Sequence, residues 1–210
     1  GPVEQIVARG GRALRSVAAG DIDAASLEVE RGRSVVEDHG LDRAGRISTD
    51  VDRLFFALGE VRRARAEAIR FVPTPPDFGA VLERRCQLLL DAQSAYSATM
   101  RAYDAHWSAM AGFRTGELYQ SLHAELMAVA PPASADTPAR RDLFEGAMRL
   151  RYTILLEKAL AMMDHTLAMA TRTGERSAWV ARAAAARAEL HAARAREEAI
   201  LERLPYTRAE

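Results

Sequence analysis

The sequence predicts an all-α protein of about seven helices, arranged as antiparallel long-helix hairpins stacked side by side, either as an array or as an elongated bundle. Three observations carry this. Apolar residues recur at three- and four-residue spacing along nearly the whole chain. The interruptions are short and rich in Pro, Gly or Asp, as in VPTPPDFG at 72–79 and APPASADTP at 130–138. One stretch, Thr137 to Thr173, has a capping signal at each end and no proline beyond its first turn.

Taken in order, residues 3–19 form a first helix with Ile6, Val7, Leu14 and Val17 as apolar contacts. Gly20-Asp21 turns the chain, and residues 22–38 return with Ile22, Leu27, Val29, Val35 and Val36. A turn this short makes the pair an antiparallel hairpin. Residues 41–71 hold a third helix, with a possible break at Ser48-Thr49; Val51, Leu54, Phe55, Leu58, Val61 and Ile69 form its core side. Three prolines end it, because proline removes a backbone donor and clashes with the preceding turn. A fourth helix covers 80–103, a turn is expected at Tyr103-Asp104, and a fifth helix covers 105–129.

The longest helix follows. Thr137 can accept from a free N–H of the first turn, Pro138 suits the first helical position, and Gly174 suits a left-handed stop. Met148, Leu155, Met162 and Met169 form one stripe, and Leu143, Ala147, Leu150, Ile154 and Ala161 a second beside it. Two stripes make a wide apolar face that needs neighbours on more than one side. Core packing is expected of the methionines, and an edge-of-core place of His165. A last helix, from Ser177 to Leu204, carries a narrow seam of Trp179, Ala183, Ala186, Leu190, Ala193, Ile200 and Leu204, stopped by Pro205. Such a helix packs on one neighbour, as an internal cap or as a homodimer seam.

Composition narrows the function. With 29 basic and 29 acidic residues the net charge is zero, which speaks against nucleic-acid binding through bulk positive charge. The arginine groups at 62–65, 84–85 and 140–151 read as salt-bridged, solvated helix faces. The single Cys86 excludes an internal disulfide framework. No run reaches the ~18 apolar residues of a membrane span. The Gly1-Pro2 start matches the remnant of a tag-removing protease, so the natural N-terminus is expected to lie elsewhere, and cytoplasm and periplasm both stay open. Phosphate-loop, H-E-x-x-H, G-x-S-x-G and Glu-x-x-His patterns are lacking, so no cofactor, metal or catalytic residue is expected.

The segments FFALGEVRRARAEAIRFVPTPP and GFRTGELYQSLHAELMAVAPP repeat at an offset of 57 residues, matching Phe56 with Phe113, Gly59 with Gly116, Glu60 with Glu117 and Val61 with Leu118. Small residues at the glycine positions would let a neighbouring helix approach closely. Phe55-Leu58-Gly59 and Gly116-Tyr119 are similar to parts of the first-helix signature of the tetratricopeptide (TPR) family, with Gly20 and Ala25 at its turn and second-helix places. Arg62 stands where that signature has tyrosine, and the period is not the family's 34 residues. The resemblance to degenerate TPR units covers residues 3–129, with a long helical hairpin over 130–210 packed on them in one continuous unit. It implies a protein-binding scaffold whose concave face is lined by the first helix of each pair.

The first function expected is therefore a non-enzymatic adaptor for another protein, in a larger bacterial assembly. Trp107, Tyr119, Trp179, Leu190 and Ile200 are the candidate partner contacts. The second is self-association as a homodimer through the C-terminal seam. The third is a small-molecule pocket near Trp107, Tyr119, Tyr152 and His165.

Overall fold

The computed structural model describes residues 1–41, 49–101 and 104–204. They form seven α-helices and no strand: α1 (Pro2–Ala18), α2 (Ile22–Asp38), α3 (Thr49–Glu67), α4 (Phe78–Met100), α5 (Ala105–Met127), α6 (Pro138–Thr173) and α7 (Ala178–Arg203). The expected break at Ser48, turn at Tyr103 and stop at Pro205 fall outside the described residues. The starts follow local chemistry. Asp21, Asp77, Asp104 and Thr137 each accept from a backbone N–H three residues on, at 3.0, 3.4, 2.9 and 3.3 Å. Gly174 ends α6 at φ 74°, a conformation that costs a side chain but not glycine.

The packing is that of stacked hairpins. α1 touches α3, α3 touches α5, and α5 touches α7; each of α2, α4 and α6 packs on the odd-numbered helices at its sides and not on another even-numbered one. Side-chain pairs give the directions. Gly112 faces Thr166 and Gly116 faces Met163, so α5 and α6 run antiparallel. Arg149–Glu197 and Asp164–Arg187 show the same for α6 and α7. Phe56–Trp107 and Glu60–Arg114 place α3 and α5 parallel. The odd-numbered helices thus form one layer and the even-numbered helices the other.

Two hydrophobic clusters fill the space between layers. Ile6, Ala13, Val29, Val36, Leu54 and Val61 bring α1, α2 and α3 together. Phe56, Tyr96, Leu118, Leu122, Met163 and Leu190 do so for α3 through α7. Leu14 packs against both. The repeated glycines are close-approach positions, as expected: a β-carbon on Gly59 would collide with the Tyr96 ring, and one on Gly116 with the Met163 side chain.

α6 departs from expectation. Its buried line is Gly146, Leu156, Ala159, Leu160, Met163, Thr166 and Ala170. The first expected stripe, Met148, Leu155, Met162 and Met169, is half-buried at the edge. The second faces solvent: Leu143, Leu150 and Ile154 are 55%, 57% and 46% exposed. The helix periodicity was correct, but α5 and α7 both approach from one side, so a face wide enough for two neighbours is only partly used. His165, expected at the core edge, is exposed. The α7 seam does pack inward, with Ala183, Ala186 and Leu190 buried, but against both α6 and α5 rather than the single neighbour its narrow stripe predicts, because Trp179 also reaches Phe113 of α5.

Leu190→Ala is expected to lose about 2–5 kcal/mol of unfolding free energy and Leu150→Ala less than about 0.5 kcal/mol, read by urea denaturation. Equal losses would contradict this burial pattern. Gly59→Ala should destabilise by about 1–3 kcal/mol through overpacking against Tyr96, although helix propensity alone favours alanine by about 1 kcal/mol. A stabilised variant would show that the ring can move aside.

Candidate functional site

The junctions between successive odd-numbered helices share a plan. At the α3/α5 junction the Phe56 ring lies 5.5 Å from Trp107, with the Arg53 guanidinium 6.0 Å from that indole. At the α5/α7 junction the Phe113 ring lies 5.7 Å from Trp179, with Arg114 and Arg182 at 5.3 and 4.4 Å from the indole. The two phenylalanines are the ones matched by the 57-residue repeat. Each tryptophan stands in the first turn of the next odd-numbered helix and fastens it to the one before.

Beyond the tryptophans the junctions diverge. Between α3 and α5 the space is filled by charge. Glu60, 5% exposed, accepts from Tyr96 Oη at 2.5 Å and pairs with Arg63 at 3.0 Å and Arg114 at 3.2 Å. Burial pushes the Tyr96 phenol well above its ordinary range, with the Glu60 charge next in effect, so the hydroxyl keeps its proton and donates it. Arg63 also reaches Glu67, and Arg114 reaches Glu117.

Between α5 and α7 the space is open. The α7 residues turned inward are mainly alanines, too short to fill the width that Trp179 sets. Two adjoining cavities of about 510 and 450 Å³ result, sharing Gln120, Ala124 and Glu189. The first is lined by Met127, Leu156, Leu190 and Ala193, with His123, Glu189, Arg196 and Glu197 as its charged or titratable groups. Glu197 is held by Arg149 of α6 at 2.5 Å. Burial lowers the pKa of His123, so its ring is neutral at neutral pH. The second is lined by Phe113, Glu117, Ser121, Arg182, Ala185 and Ala186 among others. Together they form a groove along α5, with an α6 residue, Leu156, in its lining. A further apolar cavity of about 400 Å³ lies between the two proline loops, at Phe78, Pro131, Pro132 and Phe144.

The candidate contacts separate on this frame. Trp179 stands at the head of the groove and Leu190 in its lining, fully buried. Ile200 is half-buried further along α7. Trp107 belongs to the filled α3/α5 junction. Tyr119 faces the other way: its hydroxyl donates to Gln93 of α4, and Lys158 lies 5.6 Å from its ring. Trp107, Tyr119, Tyr152 and His165 therefore do not gather around a pocket, and the cavities lie elsewhere. Glu117 and His123 line adjoining parts of the groove, whereas Glu125 turns to Arg85 of α4 at 3.2 Å. Arg85, expected on a solvated face, is fully buried there, and Arg63 and Arg149 are mostly covered, Arg63 in pairs with Glu60 and Glu67 of its own helix and Arg149 in its pair with Glu197 of α7. Sequence reading passed over Gln120, Ala124, Glu189 and Arg196; their signal was the α7 pattern of alanine inside and charge at its edge.

A second polar feature lies at the α3 end. Asp52 is fully buried, and among the described residues neither carboxylate oxygen has a hydrogen-bond partner. Burial, then the charges of Asp104 and Asp50, pushes its pKa up to about 7. Cys86 is half-buried, and burial raises its thiol pKa. Among the described residues no helix is long and apolar enough to cross a membrane, and no cluster of three His, Cys, Asp or Glu side chains could hold a metal ion. Comparison with protein-family models, with curated proteins and with solved structures finds no match.

Asp52 has a pH consequence. Its folded pKa of about 7 lies above the unfolded value of about 3.9, so the folded state binds the extra proton between the two. Stability should fall as pH rises through that window. Asp52→Asn is expected to flatten this slope between pH 4 and 7 in thermal melts; an unchanged slope would place the titration elsewhere.

Proposed function

We propose that this chain is a non-enzymatic adaptor that binds a segment of another protein in the α5/α7 groove, as part of a larger assembly. The observation that carries the reading is the groove itself. It is an apolar trough with walls of small side chains, set between two parallel helices that Trp179 and α6 hold apart. Helix-in-groove recognition uses such a surface, because small walls let a partner backbone come close and apolar depth supplies the burial. The stacked-hairpin packing supports the tetratricopeptide resemblance as an architecture, and the α5 wall of the groove belongs to the part of the chain, residues 3–129, in which the resemblance assigns first helices to partner binding. Self-association through the α7 seam is the weaker reading, since Leu190 is already fully covered within the chain.

Filling the groove tests the adaptor reading. Ala124 and Ala192 line it and are exposed, so tryptophan at both positions obstructs it without entering the core. A protein retained from an extract of the source cells by the wild-type chain should be lost by the Ala124→Trp/Ala192→Trp variant, with both chains melting within a few degrees of each other. Equal retention, or retention by neither, would remove the reading.

A further inference from the structure

We infer that the groove's occupant is an amphipathic helix with an acidic, a basic and a second acidic residue, seven positions apart, along one edge of its apolar face. The inference rests on the adaptor reading and gives the partner a chemistry.

The groove is long enough for a helix. Its α5 wall runs from Phe113 to Met127, fifteen residues spanning about 21 Å, close to four helical turns. Its α7 edge carries Arg182, Glu189 and Arg196, each seven residues from the next, so they stand in one line about 10.5 Å apart. None of these three makes an ion pair with another described residue. The other α7 charges over the same length are engaged: Arg187 with Asp164, Arg194 with Glu198, and Glu197 with Arg149. The opposite edge, on α5, presents Gln120 and Ser121 without charge, and Glu117 there is taken by Arg114.

This asymmetry selects the occupant. A helix in the groove would remove water from the α7 edge, where an unmatched charge costs binding and an opposite charge favours it. The edge reads positive, negative, positive, so the matching helix reads acidic, basic, acidic with the same seven-residue period. That order is the same in both directions, so the charges allow either orientation. A strand does not fit: 10.5 Å is about three residues of strand, and residues three apart point to opposite faces. The α5 edge accepts neutral polar residues on the helix's other flank.

The test uses two designed helical peptides of 21 residues with the same leucine and alanine face. One carries Glu, Lys, Glu at the edge positions and the other Lys, Glu, Lys. By fluorescence anisotropy with the intact chain at low salt, the first is expected to bind at least tenfold tighter, and the gap should narrow at high salt. The Arg182→Glu/Glu189→Arg/Arg196→Glu variant should reverse the preference. Because Arg182 also touches Trp179, Glu189→Arg/Arg196→Glu, which leaves that contact, is measured beside it and should abolish the tenfold preference. Equal binding of both peptides, binding of neither, or a preference unmoved by the double variant would overturn the charge assignment. The adaptor reading would still stand if the tryptophan-filled variant loses its natural partner, so the two failures are distinguishable.

Discussion

The carboxylate of Glu60 is the constraint on which the array turns. It sits on α3 with almost no solvent contact, and groups from three helices converge on it: Arg63 of α3 itself and Tyr96 of α4 donate hydrogen bonds, and Arg114 of α5 adds an ion pair. Leaving such a charge without a partner costs about 3–5 kcal/mol, so the three helices have few other arrangements open to them. Gly59, one residue earlier, lets the Tyr96 ring lie close against α3. The pair Gly59-Glu60 thus fixes both the distance and the rotation of α4 relative to α3. Arg114 carries the same constraint forward, since its guanidinium also lies near the Trp179 ring and ties α7 to the group.

The two junctions of the odd-numbered layer show how one plan can give a solid joint or an open one. Both begin with a phenylalanine against the tryptophan of the next helix. In the first, Glu60, Tyr96 and Arg114 then occupy the gap. In the second, the repeat supplies Gly116 and Glu117, but the glycine admits Met163 and Ala159 of α6 instead of a polar partner, and Glu117 is drawn back to Arg114. Beyond Trp179, the α7 residues along the gap are mostly alanines, with Leu190 as the larger apolar side chain and charged residues at the edge. Trp179 sets a spacing that alanines cannot close, and a groove remains where its counterpart is filled.

Rigidity and opening are therefore placed next to each other. Leu156 and Leu190, both in the buried core, form part of the groove's lining, and Arg149–Glu197 ties α6 to α7 beside it. The walls that a partner would touch include the exposed Ala124, Ala185 and Ala192 and the exposed charges of Arg182, Glu189 and Arg196, which add little to the stability of the chain itself. A surface of that kind can change without loss of fold, whereas the Glu60 group and the Leu190 contact cannot.

The sequence by itself determined the class of fold, most helix ends to within three residues, the α7 seam and the close-approach glycines, although α3 stops at Glu67, four residues short of the end expected before the prolines. These rest on local chemistry: caps, prolines and the 3.6-residue period act within a few residues of where they are written. It also carried the repeat that places Phe56 and Phe113, though not the tryptophans they meet. What only the tertiary structure decided was which apolar stripe of α6 is covered, which arginines are buried, and where space is left over. Leu150 and Leu156 are equally apolar and stand less than two turns apart on one helix. One is exposed and the other buried because α5 and α7 arrive from a single side, and the direction from which a neighbour arrives depends on contacts as distant in sequence as Glu60 with Arg114 and Phe113 with Trp179.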